Sequence, residues 1–194
     1  MNIDLDNKTQ RYLGLDEKEI QRKFKQYAIA TDVFVDIGSS DGYYGLIYHK
    51  WNREGTQYLC DARQAFAQEQ KDNFILNSYD TVKIHFVSKF IAGISNEESV
   101  ALDELLKDVD GDIFLKIDVD GGELNVLQGV VNTLRERQCM LIVETHSKEL
   151  EVGCTNYLDQ LGYTTQIIRN AWWRRFIPEL RPIAHNRWFS AEKK

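Results

Sequence analysis

Between Val33 and Gly45 the chain reads VFVDIGSSDGYYG, an apolar pentapeptide that runs into a glycine-rich turn. Val33-Phe34-Val35-Asp36-Ile37 has the pattern of a strand buried on both faces. Gly38, Gly42 and Gly45 follow among small and polar residues, and a helical pattern opens directly behind them. A strand, a glycine turn and a helix N-terminus together make a cradle for a nucleotide-like ligand. Gly38 and Gly42 carry no Cβ, so their backbone can approach that ligand closely.

Outward from this stretch, strand-like and helix-like segments alternate. Asp16 and Glu19 have the spacing of a capping box, followed by Ile20, Phe24, Tyr27 and Ala28 on one helical face. Helical patterns are predicted over 43–51, 64–74, 102–107, from Gly122 to about Arg137 as one long helix, and over 148–161. Strands are predicted at 57–61, 82–87, 112–118, 140–144, 163–168 and 183–190. The order predicts an α/β fold: a doubly wound, mostly parallel seven-stranded sheet with helices on both faces. At 194 residues the chain reads as one domain. Its parts are an arm and helix (1–30), a Rossmann-like core (31–168) and an aromatic, basic segment with the last strand (169–194). Ligands of such sheets bind at the carboxyl ends of the strands. Those tips carry Asp36, Asp61, Asp118 with Asp120, and Glu144 with His146.

The ligand class follows from charge. The dinucleotide pattern G-x-G-x-x-G fails at Ser40, which counts against a nicotinamide-dependent enzyme. Asp36 and Asp41 would repel a pyrophosphate but suit a cationic ligand such as S-adenosylmethionine. A net charge of −6 argues against nucleic acid as the main partner. No run approaches the roughly 18 apolar residues of a membrane span. The three cysteines, Cys60, Cys139 and Cys154, are far apart with no C-x-x-C pair, as in a reduced cytoplasmic protein.

Three segments, VFVDIGSSDGYYG, LKIDVDGGELNVLQG (Leu115 to Gly129) and LIVETH (Leu141 to His146), resemble in sequence and order the signature segments of FkbM-type methyltransferases. The departures are Ser39-Ser40-Asp41, where alanine and asparagine are common, and Asp120, where glutamate is usual. The resemblance implies a class I enzyme dependent on S-adenosyl-L-methionine. It places Asp36, Gly38, Ser39 and Gly42 around the methionine part of the cofactor, with Asp118 nearby. Asp61, 23 residues after Gly38, would accept hydrogen bonds from both ribose hydroxyls, and Ser88 would lie near the adenine.

Asp118 and Lys116 alternate onto one strand face and are expected to pair. Asp118, Asp120 and Glu123 could meet the donor's amino end, act as a base or hold a divalent metal. Asp120 and Glu123 could equally serve the start of the following helix. Glu144 and His146 project to the same side of their strand, and His146 is placed to deprotonate a hydroxyl near neutral pH. In the 169–188 stretch, Trp172, Arg174 and Arg175 suit a sugar face or an anionic acceptor. That stretch is also a candidate lid or subunit contact, so a homo-oligomer stays open. The expectation is methyl transfer to a hydroxyl of a small-molecule or glycan acceptor, with Asp118 and His146 catalytic and Glu144 toward the substrate. A catalytically silent cofactor-binding protein and a NAD-dependent enzyme are the rival readings.

Overall fold

The computed structural model describes residues 9–11, 13–176 and 185–193. Helix α1 (Gln21–Ala30) leads into β1 (Val33–Ile37), α2 (Tyr43–Trp51), β2 (Thr56–Cys60), α3 (Gln64–Leu76) and β3 (Ile84–Val87). A two-stranded pair, β4 (Phe90–Ile91) with β5 (Ser99–Val100), and α4 (Leu102–Leu105) then precede β6 (Ile113–Ile117). Helices α5 (Glu123–Gln128) and α6 (Val131–Glu136), β7 (Cys139–Thr145), α7 (Lys148–Gln160), β8 (Tyr163–Ile168), a 3₁₀ turn (Trp172–Arg175) and β9 (Arg187–Lys193) complete the order.

Seven strands form one sheet in the order β3-β2-β1-β6-β7-β9-β8. All pairs are parallel except those of β9, which is antiparallel to both β7 and β8. From β1 the chain winds one way through β2 and β3, then crosses back to β6 and winds the other way. The switch therefore lies between β1 and β6, whose residues pair in register from Val33↔Ile113 to Ile37↔Ile117. No described helix is long and apolar enough to cross a membrane.

All five residues of β1 and of β6 are buried, as an interior parallel strand requires. Val33, Val35 and Ile37 pack with Leu115, Ile117, Val126 and Leu141 on one face of the sheet. Phe34 and Phe114 face the other side, against Phe24, Tyr27 and Tyr48. There Phe24 meets Phe34 edge-on at 5.4 Å between ring centroids, and Phe34 stacks on Tyr48 at 4.8 Å. Cys60, Cys139 and Cys154 are buried free thiols.

Three local expectations change. The Asp16–Glu19 capping box does not form: α1 starts after Ile20 with no side-chain cap. Asp16 pairs with Arg11 and Glu19 with Arg174 instead. The single helix expected to run to Arg137 is two, because the Asp103 carboxylate accepts the Asn132 and Thr133 backbone N–H groups at 2.9 and 2.8 Å and caps α6 separately. The β4–β5 pair has strands of two residues, too short to leave a periodic signal.

Gly38 fixes how closely β1 and β6 approach at their tips. Its φ is +83°, and a Cβ there would lie 1.9 Å from the Asp118 carbonyl oxygen. Gly121 has φ +88° with nothing within 4 Å of a built Cβ. Gly121→Ala should therefore cost only the left-handed backbone penalty, about 1–2 kcal/mol. Gly38→Ala should cost clearly more, because two backbones must separate. Urea unfolding of the two variants checks this, and equal losses would count against the tight β1–β6 approach.

Candidate functional site

The tips of β1, β2, β6 and β7 converge on a buried ammonium. Lys116, paired in register with Asp36 across the β1–β6 ladder, is 2% exposed. Its Nζ lies 3.5 Å from Asp36 Oδ1 and 3.4 Å from Asp118 Oδ2. The ring of Tyr44 lies 4.7 Å from the same Nζ and that of Trp188 5.3 Å. Burial works against the Lys116 charge, yet Asp36 and Asp118 hold its pKa above the ordinary lysine value. Burial pushes Asp36 up to about 6 despite Lys116, and Asp118 adds to the rise.

The loop after β1 is held from below by α3. The Gln70 side-chain amide donates to Ser39 Oγ at 2.9 Å and to the Ser40 carbonyl at 2.7 Å. Asn73, one turn further on, donates to the Asp41 carbonyl at 2.9 Å. Gly42 then starts α2, with the Gln70 side chain packed beneath it. The close approaches of Gly38 and Gly42 are thus to Asp118 and Gln70 of the chain itself. Asp61, at the β2 tip, accepts the Ser40 N–H at 3.1 Å and the Arg63 N–H at 2.9 Å. The Arg63 guanidinium forks onto both of its oxygens, at 3.0 and 3.1 Å.

Between these groups is a cavity of about 100 Å³, lined by Asp36, Gly38, Ser39, Tyr44, Asp118 and Asp120 among others. Arg11, Glu17 and Arg63 also line it and narrow it. Arg11, in the N-terminal arm, donates from one guanidinium nitrogen to both Asp41 carboxylate oxygens at 2.8 and 3.0 Å. Glu17 takes a left-handed backbone, φ +45°, and buries an oxygen with no hydrogen-bond partner. Its pKa is raised by burial, with Lys116 opposing and Asp118 reinforcing the shift. Ligand pockets are typically about 300–1,000 Å³, so the cavity is smaller than most, with these three side chains among its walls.

Beside the cavity stands a second group. Thr145 ends β7 with its hydroxyl donating to the Arg187 carbonyl, and Ser147 caps α7. These two anchors fix His146 between them. His146 Nδ1 lies 2.5 Å from Oε1 of Glu123, which is 0% exposed at the start of α5. That bond holds the His146 pKa above the ordinary histidine value, against burial. His146 Nε2 faces Glu144 Oε2 at 3.6 Å, Asp120 Oδ1 at 3.6 Å and Asp118 Oδ1 at 3.8 Å. Burial and the neighbouring Asp118 drive Glu144 well above the usual carboxylate range. Such an arrangement can hold a cation or accept a proton at the sheet edge.

Asp36, Gly38, Ser39, Gly42, Asp61 and Asp118 thus gather at one edge, with Glu144 and His146 adjoining through Asp118. Ser88 stands just past β3 and lines no part of the cavity. Trp172 is 78% exposed and meets Phe176 edge-on. The Arg174 guanidinium is turned away from an acceptor: it pairs with both Glu19 oxygens at 2.8 and 2.9 Å and also bonds Gln10 and the Leu15 carbonyl. The Arg175 side chain lies outside the described residues. His49 packs on Tyr79 and His85 stacks on Tyr58, both away from the site. A larger cavity of about 570 Å³, lined by His49, Arg53, Tyr79, Asp80 and Lys83, opens at the amino end of β2 and β3. It lies opposite the edge where such sheets bind ligands. Arg11, Glu17 and Arg63 belong to no motif. Gln70 and Asn73 left one sequence signal, two amides three apart on a helix face.

Solved structures share this architecture. A methyltransferase FkbM from Methylobacillus flagellatus KT is 15% identical with a TM-score of 0.66 over 82% of this chain, which spans 43% of that protein's length. A SAM-dependent O-methyltransferase from Thermotoga maritima is 14% identical with a TM-score of 0.61, over 91% of this chain and 65% of that one. A Streptococcus mutans protein described as a methyltransferase in complex with SAH is 9% identical with a TM-score of 0.61, over 91% and 97%. At these identities the likeness shows the fold alone. No curated protein matches the chain in sequence. The model of the methyltransferase FkbM domain, however, matches residues 8–171, well over half the chain. Sheet order, site placement and that match lead to one conclusion: the chain belongs to the FkbM methyltransferase domain family.

Proposed function

We propose that the protein moves the methyl group of S-adenosyl-L-methionine to an oxygen of a small-molecule or carbohydrate acceptor. The observation that carries this reading is the placement of two unlike groups at one sheet edge. The 38–42 loop with Asp61 stands on two tips, to which this reading assigns the donor, and Asp118, Glu144 and His146 stand on the next two. The acceptor oxygen bonds to the methyl carbon as the sulfonium–carbon bond breaks. The hydroxyl proton is drawn off at the Asp118–Glu144–His146 cluster and passes to solvent. The products are a methyl ether and S-adenosylhomocysteine.

Since the sulfonium is already an activated donor, alignment dominates. Orientation can supply roughly 7–11 kcal/mol of the barrier, against about 10²–10⁴-fold from proton transfer. In this reading the ribose hydroxyls replace the Arg63 fork on Asp61, and the Arg11–Glu17 arm yields to the methionine end. The net charge of −6 favours a small or glycan acceptor over nucleic acid. The rival reading is a fold that binds the cofactor without transferring its methyl group. Retained binding with no transfer from labelled cofactor to an acceptor panel would establish that rival.

Two outcomes are expected. In calorimetry, Asp61→Ala should weaken S-adenosylmethionine binding at least tenfold, since each hydrogen bond to a charged group contributes about 1.5–3 kcal/mol. Arg63→Ala should leave binding intact or tighten it by freeing Asp61; loss of affinity there would refute the displacement. With labelled cofactor, His146→Ala should slow turnover by about 10²–10⁴-fold while the cofactor still binds. Unchanged turnover would remove the cluster from the chemistry.

A further inference from the structure

His146 raises a question that proton transfer does not answer. Its side chain is 8% exposed, and Nε2 has no hydrogen-bond partner. Because Glu123 accepts from Nδ1, the neutral ring turns an Nε2 lone pair toward Asp118, Glu144 and Asp120. Oxygens would repel a lone pair. Asp118 and Asp120 favour a proton on Nε2 by charge, but the oxygens stand 3.6–3.8 Å away, beyond the roughly 2.7–3.2 Å of a hydrogen bond, so no direct contact takes that proton.

The spacing suits a cation in the middle. One atom each of Asp118, Glu144 and His146 lies within 4.8 Å of the other two. A divalent cation bound at about 2.0–2.4 Å sets its ligands roughly 3–4.6 Å apart. Two of the three donors are also held in place from behind. Lys116 engages Asp118 Oδ2, which turns Oδ1 toward His146. Glu123 fixes the imidazole in the manner of the outer-shell carboxylates that orient metal-bound histidines. Asp36, Asp118, Glu17 and Glu144 all act on one ammonium, Lys116, so added positive charge is favoured.

We propose that Asp118, Glu144 and His146 form a divalent-cation site, with Asp120 at its open rim and Glu123 orienting the histidine. One nitrogen and two carboxylate donors suit a borderline first-row ion such as Mn²⁺ or Zn²⁺ better than an all-oxygen calcium cage. Asp118 and Asp120 also line the cavity beside Gly38. The remaining coordination positions therefore open toward the donor site, where an acceptor oxygen can complete the shell. A cation there would lower the pKa of a bound hydroxyl, the task an uncharged imidazole would otherwise perform as a base. The site rests on these side chains and on no choice of acceptor.

The test uses Mn²⁺ added to metal-stripped protein without cofactor. Calorimetry should show one Mn²⁺ per chain, and pulsed electron paramagnetic resonance should show a ¹⁴N coupling from a directly bound imidazole. His146→Asn should abolish that coupling. Glu144→Gln should weaken binding at least tenfold, and Glu123→Gln should weaken it by about 10–100-fold while keeping the coupling. Thermal unfolding establishes that each variant is folded; should any fail, the wild-type spectrum decides alone. Absence of stoichiometric Mn²⁺ and Zn²⁺ uptake, or bound Mn²⁺ without ¹⁴N coupling, would overturn the site. Cofactor binding is titrated separately, so either proposal can fail without the other.

Discussion

A single ammonium inside the sheet, that of Lys116, ties the two halves of the fold together. A charge taken out of water is costly unless partners surround it. Here the partners are Asp36 on one side of the winding switch and Asp118 on the other, with the faces of Tyr44 and Trp188 above. Four elements, β1, β6, α2 and β9, must be in place before the lysine is satisfied. Removing one carboxylate from such a pair typically costs about 3–5 kcal/mol, because the other charge stays buried. The requirement that stabilises Lys116 is thus also what fixes the geometry of the strand tips.

The same edge carries more acid than base, and the molecule handles the imbalance locally. Glu123 is matched to His146, Asp61 to Arg63 and Asp41 to Arg11. Burial, reinforced by the charge of Asp118, raises the pKa values of Glu17 and Glu144. Every charge near the cavity is therefore either paired within the chain or pushed toward neutrality. Access to Asp41 or Asp61 requires an exchange of partners, because Arg11 and Arg63 already hold them.

Much of this was legible along the chain, and the limits are instructive. Period and glycine placement located β1, β6 and β7, and a parallel sheet then necessarily brings their last residues to one edge. That is why the sequence alone groups Asp36, Asp118, Glu144 and His146. Partner choice was not legible. The sequence leaves Glu123 open between the helix start and the site; it stands in the first turn of α5 and pairs with His146 at the β7 tip. Arg174 looked available for a sugar because tryptophans flank it, but Glu19, 155 residues earlier, takes its fork. Arg63 sits two residues from Asp61, yet only the backbone direction after β2 folds it back. Contacts set by loop direction and by distant segments carry no periodic trace.

Strand β9 has a consequence for how the fold is assembled. It lies between β7 and β8, antiparallel to both, although it follows both in the chain. As the polypeptide emerges from the ribosome, residues 139–168 appear first, with facing edges that have no strand to pair with. Their hydrogen bonds close only when residues 187–193 slot in between, which also brings Trp188 over Lys116. The last three of the seven strands in sheet order and the cage around the buried charge are thus joined in one late step. Until then β7 and β8 are the edges on which a chaperone, or a neighbouring nascent chain, would act.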